Sequence, residues 1–206
     1  QLFWLQKRDP ANFARATHIL LYPQYWAWRL SGELAAEVTS LGCHTDMWCP
    51  DSQSYSSLVD RCQWIEKMPP LRDAWDCLGN VTEVVRELTG LPADCQVRVG
   101  LHDSNASFLR YLGKRTEAFT VISTGTWTIL MQNQGNTDNL CASRDMLANV
   151  NIHGVPVCCA RFMGGREYER ICTNLGGDVS MAVNAEDIQF AIEQQWMVTP
   201  DFSEGN

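Results

Sequence analysis

Hydrophobic and polar positions recur along this chain with two different periods, and the change between them falls after Pro92. In the first part the period is helical. Asp9-Pro10 reads as an N-cap followed by proline at the first helical position, with Phe13, Thr17 and Leu20-Leu21 at helical spacing behind it. Pro23 interrupts that pattern, Tyr25 to Leu30 resumes it, and Ser31-Gly32 stops it. A polar connection runs from Thr39 to Tyr55, and a helix over Ser56 to Lys67 ends at Pro69-Pro70. The spacing predicts another helix over 80–89. Asn80 caps it with Glu83 three residues on, Val81, Val84, Val85 and Leu88 form one apolar stripe, and Gly90 then Pro92 end it.

Beyond Pro92 the runs read as strands. Val97 to Leu101 leads into His102-Asp103-Ser104-Asn105. Phe119–Ile122 and Trp127–Leu130 follow, joined by Ser123-Thr124-Gly125-Thr126, and Val155–Ala160 carries the pair Cys158-Cys159. Two helices come last. One has Tyr168, Ile171, Cys172 and Leu175 on a face and Gly176-Gly177 as its stop; the other is capped by Asn184 and runs from Ala185 toward Trp196. The order predicts an α/β chain that crosses a domain boundary within 112–118.

Composition narrows the classes. A chain of 206 residues holds between one and two domains at about 150 residues each. With 45% hydrophobic and 19% charged residues it is neither disordered nor collagen-like. A net charge of −8 gives no general attraction to nucleic acid or an anionic membrane. No apolar run approaches the ~18 residues of a membrane span. Nine cysteines, an odd number, fit reduced thiols in a cytoplasmic protein better than a disulfide framework. In that compartment the sequons at Asn80 and Asn105 are chance matches.

Two segments carry candidate chemistry. Asp103 and His102 stand just past the end of an apolar run, where α/β sheets present side chains to a ligand crevice, and an Asp there can take a proton from a substrate hydroxyl. The plainer reading makes Asp103 an N-cap for a helix through Ala106, Phe108 and Leu109. Thr124, Gly125 and Thr126 can bring backbone N–H groups and hydroxyls to an anion. The plainer reading there is a hairpin turn that needs Gly125 for positive φ. Cys43, His44, Asp46 and Cys49 offer four candidate zinc ligands within seven residues. Adjacent side chains point apart, so a sugar contact from His44 or Asp46 is preferred and no metal site is assigned. Tyr25, Trp26 and Trp28 are taken as core, and Arg161 and Arg166 as either phosphate contacts or solvated surface.

Leu101-His102-Asp103-Ser104-Asn105-Ala106 followed by Val121-Ile122-Ser123-Thr124-Gly125-Thr126-Trp127 resembles the middle of the FGGY family of carbohydrate kinases, most of all its rhamnulokinase and fuculokinase branch. Phe13 to Glu33, Ser40 to Asp46 and Phe162 to Glu167 agree in order and spacing. The resemblance implies an actin-like ATPase (ribonuclease H-like) fold of two α/β domains with the active site in the cleft between them. Only its central portion would be present: residues 1–112 as the second half of the N-terminal domain, and 113–206 as the first half of the C-terminal one.

The family moves the γ-phosphoryl group of ATP, with Mg²⁺, to a sugar or polyol hydroxyl. By that resemblance Asp103 is the catalytic base, and His102 contacts the sugar, with His44 and Asp46 in a segment close to it. Thr124, Gly125 and Thr126 hold the γ-phosphate. The expected partner is a small sugar, a ketose, in the cytoplasm, with no nucleic acid or membrane and with a homodimer left open. The family's opening Asp-x-Gly-Thr phosphate loop does not occur in this sequence. That motivates the alternative of a truncated or degenerate relative that binds a sugar or a protein without catalysis. A hydrolase using His102 and Asp103 on water has less support, since no nucleophile-elbow serine is found.

Overall fold

Helix α1 (Leu2–Arg8) and helix α2 (Pro10–Arg15) open the chain in the computed structural model, which describes residues 1–43, 45–114 and 116–196. The Asp9 carboxylate caps α2 by accepting from the Asn12 N–H at 3.1 Å. The helical spacing of Thr17 and Leu20-Leu21 does not become helix, because a long-range bond claims that backbone: the Ile19 N–H donates to the Lys67 carbonyl at 2.9 Å. Pro23 does not interrupt a helix either. It sits in the first turn of α3 (Tyr22–Ser31), where a missing N–H costs nothing, and Gly32 ends α3 at φ 82°. The buried residues of α3 are Gln24 and Ala27, so Tyr25 and Trp26, expected in the core, remain 39% and 49% exposed. They pack on one another instead, ring centroids 5.5 Å apart.

Helix α4 (Val38–Gly42) leads to a small antiparallel hairpin of β1 (Trp48–Cys49) and β2 (Ser54–Tyr55). The helix expected over 56–67 is split into α5 (Ser57–Arg61) and a 3₁₀ turn at Ile65–Lys67. Gln63 between them takes φ 58°, and Trp64 turns inward to 2% exposure. Strand β3 (Cys77–Asn80) pairs antiparallel with β4 (Gln96–Arg98). The pattern hid β3 because it contains Gly79 at φ 117° with a register shift beside it. Asn80 therefore belongs to a strand, and α6 (Glu83–Thr89) starts after Thr82. Val84 and Leu88 of its apolar stripe are 63% and 81% exposed.

Helix α7 (Asp103–Leu112) follows β4. Two apolar clusters hold these elements: Ile19, Leu41, Met47, Val59, Trp64 and Val150 in one, and Ala27, Ala35, Leu78, Val81, Val97 and Val99 in the other. They belong to a compact unit formed by Gln1–Ala118 and Ala148–Val157.

The second unit comprises Phe119–Leu147 and the described residues from Cys158 onward. Strands β5 (Thr120–Thr124) and β6 (Thr128–Asn133) form an antiparallel hairpin in which Thr124 faces Thr128. With β7 (Met146–Val150) and β8 (Pro156–Phe162) they make a sheet of order β5-β6-β8-β7. Strand β7 escapes the pattern because it carries the buried polar Asn149. Cys158 and Cys159 are buried, as an apolar run requires. Helix α8 (Gly164–Leu175) ends at Gly176 with φ 68°. Helix α9 (Ala185–Glu193) is capped by Asn184, which accepts from the Asp187 N–H at 2.8 Å. No described helix is long and apolar enough to cross a membrane.

Candidate active site

The first candidate group stands where the chain leaves β4. Val99 is fully buried, and Gly100 turns the backbone at φ 77°, a conformation that glycine alone adopts without strain. The Gln24 side-chain amide reaches over from α3, donating toward the carbonyls of Val99 at 3.4 Å and Gly100 at 3.3 Å. One residue before α7, the His102 N–H donates to the Thr39 hydroxyl at 3.0 Å. His102 is the N-cap of α7, its Nδ1 accepting from the Ser104 N–H at 3.3 Å. Asp103 is thus not the cap. It lies one residue further in, with its side chain 92% exposed and its Oδ1 3.2 Å from His102 Nδ1. A carboxylate in the first turn of a helix is electrostatically favoured, and an exposed one can meet a ligand hydroxyl.

Beneath this turn lies a buried polar network that the sequence pattern did not reveal. Glu37, fully buried, accepts from the Thr39 N–H at 2.9 Å, the Thr39 hydroxyl at 2.7 Å, the Ser40 N–H at 3.0 Å and the Ser40 hydroxyl at 3.1 Å. Its sequence signal was an acid set among small and apolar residues, Ala35-Ala36-Glu37-Val38. Cys43, also buried, takes a hydrogen bond from the Asn149 amide at 3.2 Å. Burial pushes the Cys43 thiol up and the Asp103 charge adds to that, while the Asn149 bond opposes it. Asp46 lies exposed at φ 57° beside a cavity of about 780 Å³, which Ile19, Tyr22, Tyr25, Thr45 and Met47 also line. His44 lies outside the described residues.

The second candidate group belongs to the other unit. Thr124 closes β5, and Gly125 and Thr126 form the exposed turn into β6. Gly125 is not at positive φ, so the hairpin turn does not require a glycine there. The glycine requirement lies instead in the neighbouring helix. The N–H of Gly165, at the start of α8, donates to the Thr126 carbonyl at 3.1 Å, and a Cβ on Gly165 would lie 3.0 Å from the Thr126 Cα. Arg161 is engaged nearby, paired with Asp145 at 2.8 Å and set over the Trp127 ring at 5.3 Å. Arg166 lines an open pocket on α8 with Glu169, Arg170 and Thr173. Hydroxyls and an exposed glycine backbone suit anionic oxygens. Among the described residues, no three His, Cys, Asp or Glu side chains gather as a metal site.

Residues 1–109 match the FGGY family of carbohydrate kinases, N-terminal domain, and residues 116–206 match carbohydrate kinase FGGY, C-terminal domain. The "Probable L-xylulose kinase" of Pasteurella multocida is 30% identical over 63% of this chain and 27% of its own length. The L-fuculokinase of Escherichia coli K12 is 25% identical over 70% of this chain and 30% of its own. The chain thus spans less than a third of the length of these curated relatives. The crystal structure of a carbohydrate kinase from Novosphingobium aromaticivorans superposes with a TM-score of 0.76 at 44% identity, covering 82% of this chain and 38% of that one. That of a xylulose kinase from Rhodospirillum rubrum, at 19% identity and a TM-score of 0.68, shares the fold over 93% of this chain and 39% of its own. With both stretches matched in order and an α/β sugar-kinase fold shared over most of its length, the chain belongs to the FGGY family of carbohydrate kinases.

Proposed function

We propose that the protein carrying this chain transfers the γ-phosphoryl group of ATP to a hydroxyl of a small sugar, a ketose, in the cytoplasm. The observation that carries the reading is Asp103: an exposed carboxylate at the start of α7, on a backbone held by Gln24 and Thr39. In this reading the fold is the two-domain actin-like (ribonuclease H-like) architecture. Residues 1–112 supply the acceptor half and residues 113–206 the phosphate half. A ketose is favoured because the two relatives are named for xylulose and fuculose, both ketoses.

Asp103 Oδ takes the proton of the acceptor hydroxyl as that oxygen attacks the γ-phosphorus, and the Pγ–O bond to ADP breaks. A positioned general base contributes about 10²–10⁴-fold. His102, His44 and Asp46 contact the sugar. Thr124, Gly125 and Thr126 hold the γ-phosphate oxygens through hydroxyls and backbone N–H groups, a donor set that suits them. Mg²⁺, which binds through phosphates, water and one or two carboxylates, would supply charge neutralisation when bound.

The test is ADP release by the full-length protein over a panel of ketoses and polyols. At least one ketose should stimulate release, and Asp103→Asn should lower kcat about 10³-fold while sugar affinity stays within a few-fold. Stimulation that survives Asp103→Asn, or none by any ketose, overturns the proposal.

A further inference from the structure

An exposed general base poses a problem of placement. A catalytic group must be held to within about 0.5 Å of its productive geometry, ordinarily by packing around its own side chain. Asp103 has little such packing, because its side chain is 92% exposed. The Ser104 N–H and hydroxyl donate to its Oδ1 at 2.6 and 3.4 Å, so what holds it is local to the turn, and the placement of that turn comes from the backbone beneath it. The His102 N–H lies in the peptide plane that ends at the His102 Cα, and the Asp103 Cα follows about 3.8 Å on across the next trans peptide, so fixing the His102 N–H fixes the start of the cap from which Asp103 projects.

The structure supplies that fixing from a segment more than sixty residues upstream. The His102 N–H donates to the Thr39 hydroxyl at 3.0 Å across a sequence separation of 63. The Thr39 hydroxyl spends its own proton on Glu37 Oε2 at 2.7 Å. The Glu37 carboxylate is held in place by three more donors, the Thr39 N–H on Oε1 and the Ser40 N–H and hydroxyl on Oε2. Glu37 and Thr39 are both fully buried. Each member of the chain has its orientation set by the next: the carboxylate orients the hydroxyl, and the hydroxyl orients the peptide. A hydroxyl that donates to a carboxylate is also the better acceptor for the next N–H.

We propose that Thr39 and Glu37 are positioning residues for phosphoryl transfer, a buried carboxylate–hydroxyl chain that holds the His102 peptide and so aims Asp103 at the acceptor hydroxyl. The proposal rests on the reading of Asp103 as the base. It predicts a loss in the chemical step rather than in binding, because neither residue needs to touch sugar or nucleotide. Valine at position 39 keeps the shape and removes the hydroxyl, and serine restores the hydroxyl without the methyl.

The experiment compares full-length wild type, Thr39→Val, Thr39→Ser and Asp103→Asn by sugar-stimulated ADP release and by hydrogen exchange at the His102 amide. Thr39→Val should lower kcat ten- to a hundred-fold with KM for sugar and ATP within three-fold, and should speed exchange of the His102 amide at least ten-fold. Thr39→Ser should recover both readouts to within three-fold. A role confined to stability would lower the melting temperature and the active fraction but leave kcat per active site unchanged, which overturns the proposal. Unchanged exchange at His102 in Thr39→Val also overturns it, whatever the activity. Should Thr39→Val not fold, Thr39→Ala carries the same comparison. An inactive wild type, or a fully active Asp103→Asn, brings down the kinase reading itself. An active wild type, an inactive Asp103→Asn and a fully active Thr39→Val bring down only the positioning chain.

Discussion

Gly165 joins helix α8 to the Thr124–Thr126 turn, and replacing it with alanine tests the proposed role of that turn directly. The new methyl would lie against the Gly125 carbonyl oxygen, 3.0 Å from the Gly125 carbonyl carbon and 3.0 Å from the Thr126 Cα. Carbon atoms in good contact sit about 3.5–4.0 Å apart, so turn and helix must separate by roughly 0.5–1 Å. All three opposing atoms are backbone, so no rotamer change relieves the overlap. Overpacking of this kind costs about 1–3 kcal/mol, offset by up to about 1 kcal/mol because alanine suits a helix better than glycine. For a chain of this size, a net loss of 1 kcal/mol lowers the melting temperature by about 2–4 °C.

Activity should suffer more than stability. In the proposed function this turn holds the transferred phosphate, and a displacement near 1 Å at such a group costs about 10²-fold. Gly164→Ala is the internal control, since the nearest atoms its methyl would meet are side-chain atoms, the Thr128 hydroxyl and the Phe162 ring. These can move aside. Sugar-stimulated ADP release by the two full-length variants, with thermal melts beside it, should show Gly165→Ala reduced about 100-fold and Gly164→Ala within several-fold of wild type. A Gly165→Ala protein with wild-type kcat refutes the argument, and so does an equal loss in both variants.

Four further outcomes follow from the same structure. Gly100→Ala introduces no collision, since nothing lies within 4 Å of the added carbon, but it forces a side chain to φ 77°. It should cost about 1–2 kcal/mol in chemical denaturation, and a loss below about 0.3 kcal/mol would contradict the left-handed turn before Asp103. Among the thiols, burial pushes Cys43 and Cys158 up, whereas hydrogen bonds from Ser52 and Ser143 pull Cys49 and Cys141 down. Iodoacetamide at neutral pH, read by peptide mass mapping, should therefore label Cys49 and Cys141 before Cys43 and Cys158. Asp103→Asn should hasten labelling of Cys43, because it removes a charge that opposes the thiolate. The raised folded pKa values also fix a sign for stability. The contribution of Cys43 and Cys158 is fully present below the ordinary thiol pKa of about 8.5 and is lost as pH rises through their folded values, so melting temperature should fall on the alkaline side.

Features legible in the sequence lie within a few residues of the signal that announces them. Asp9 caps α2, Gly32, Gly90 and Gly176 end their helices at positive φ, Asn184 caps α9, and two strand-like runs around Ser123–Thr126 pair as a hairpin. Capping bonds and left-handed glycines are local physics, so neighbouring residue types suffice to announce them. The family resemblance was legible for a similar reason, because Leu101-His102-Asp103 and Thr124-Gly125-Thr126 are contiguous.

Tertiary structure decided the remainder, and it did so through partners far away in the chain. Thr17 to Leu21 has helical spacing but leaves the helix because Ile19 bonds to Lys67. Val84 and Leu88 look like a core stripe but face solvent, and Tyr25 and Trp26 yield the buried edge of α3 to Gln24 and Ala27. Glu37 and Thr39 gave no motif to read. Their place under Asp103 depends on a hydrogen bond spanning 63 residues. Periodicity reports which side of an element is apolar, but not whether anything packs against it. A buried polar chain exists only once the fold has brought its members together.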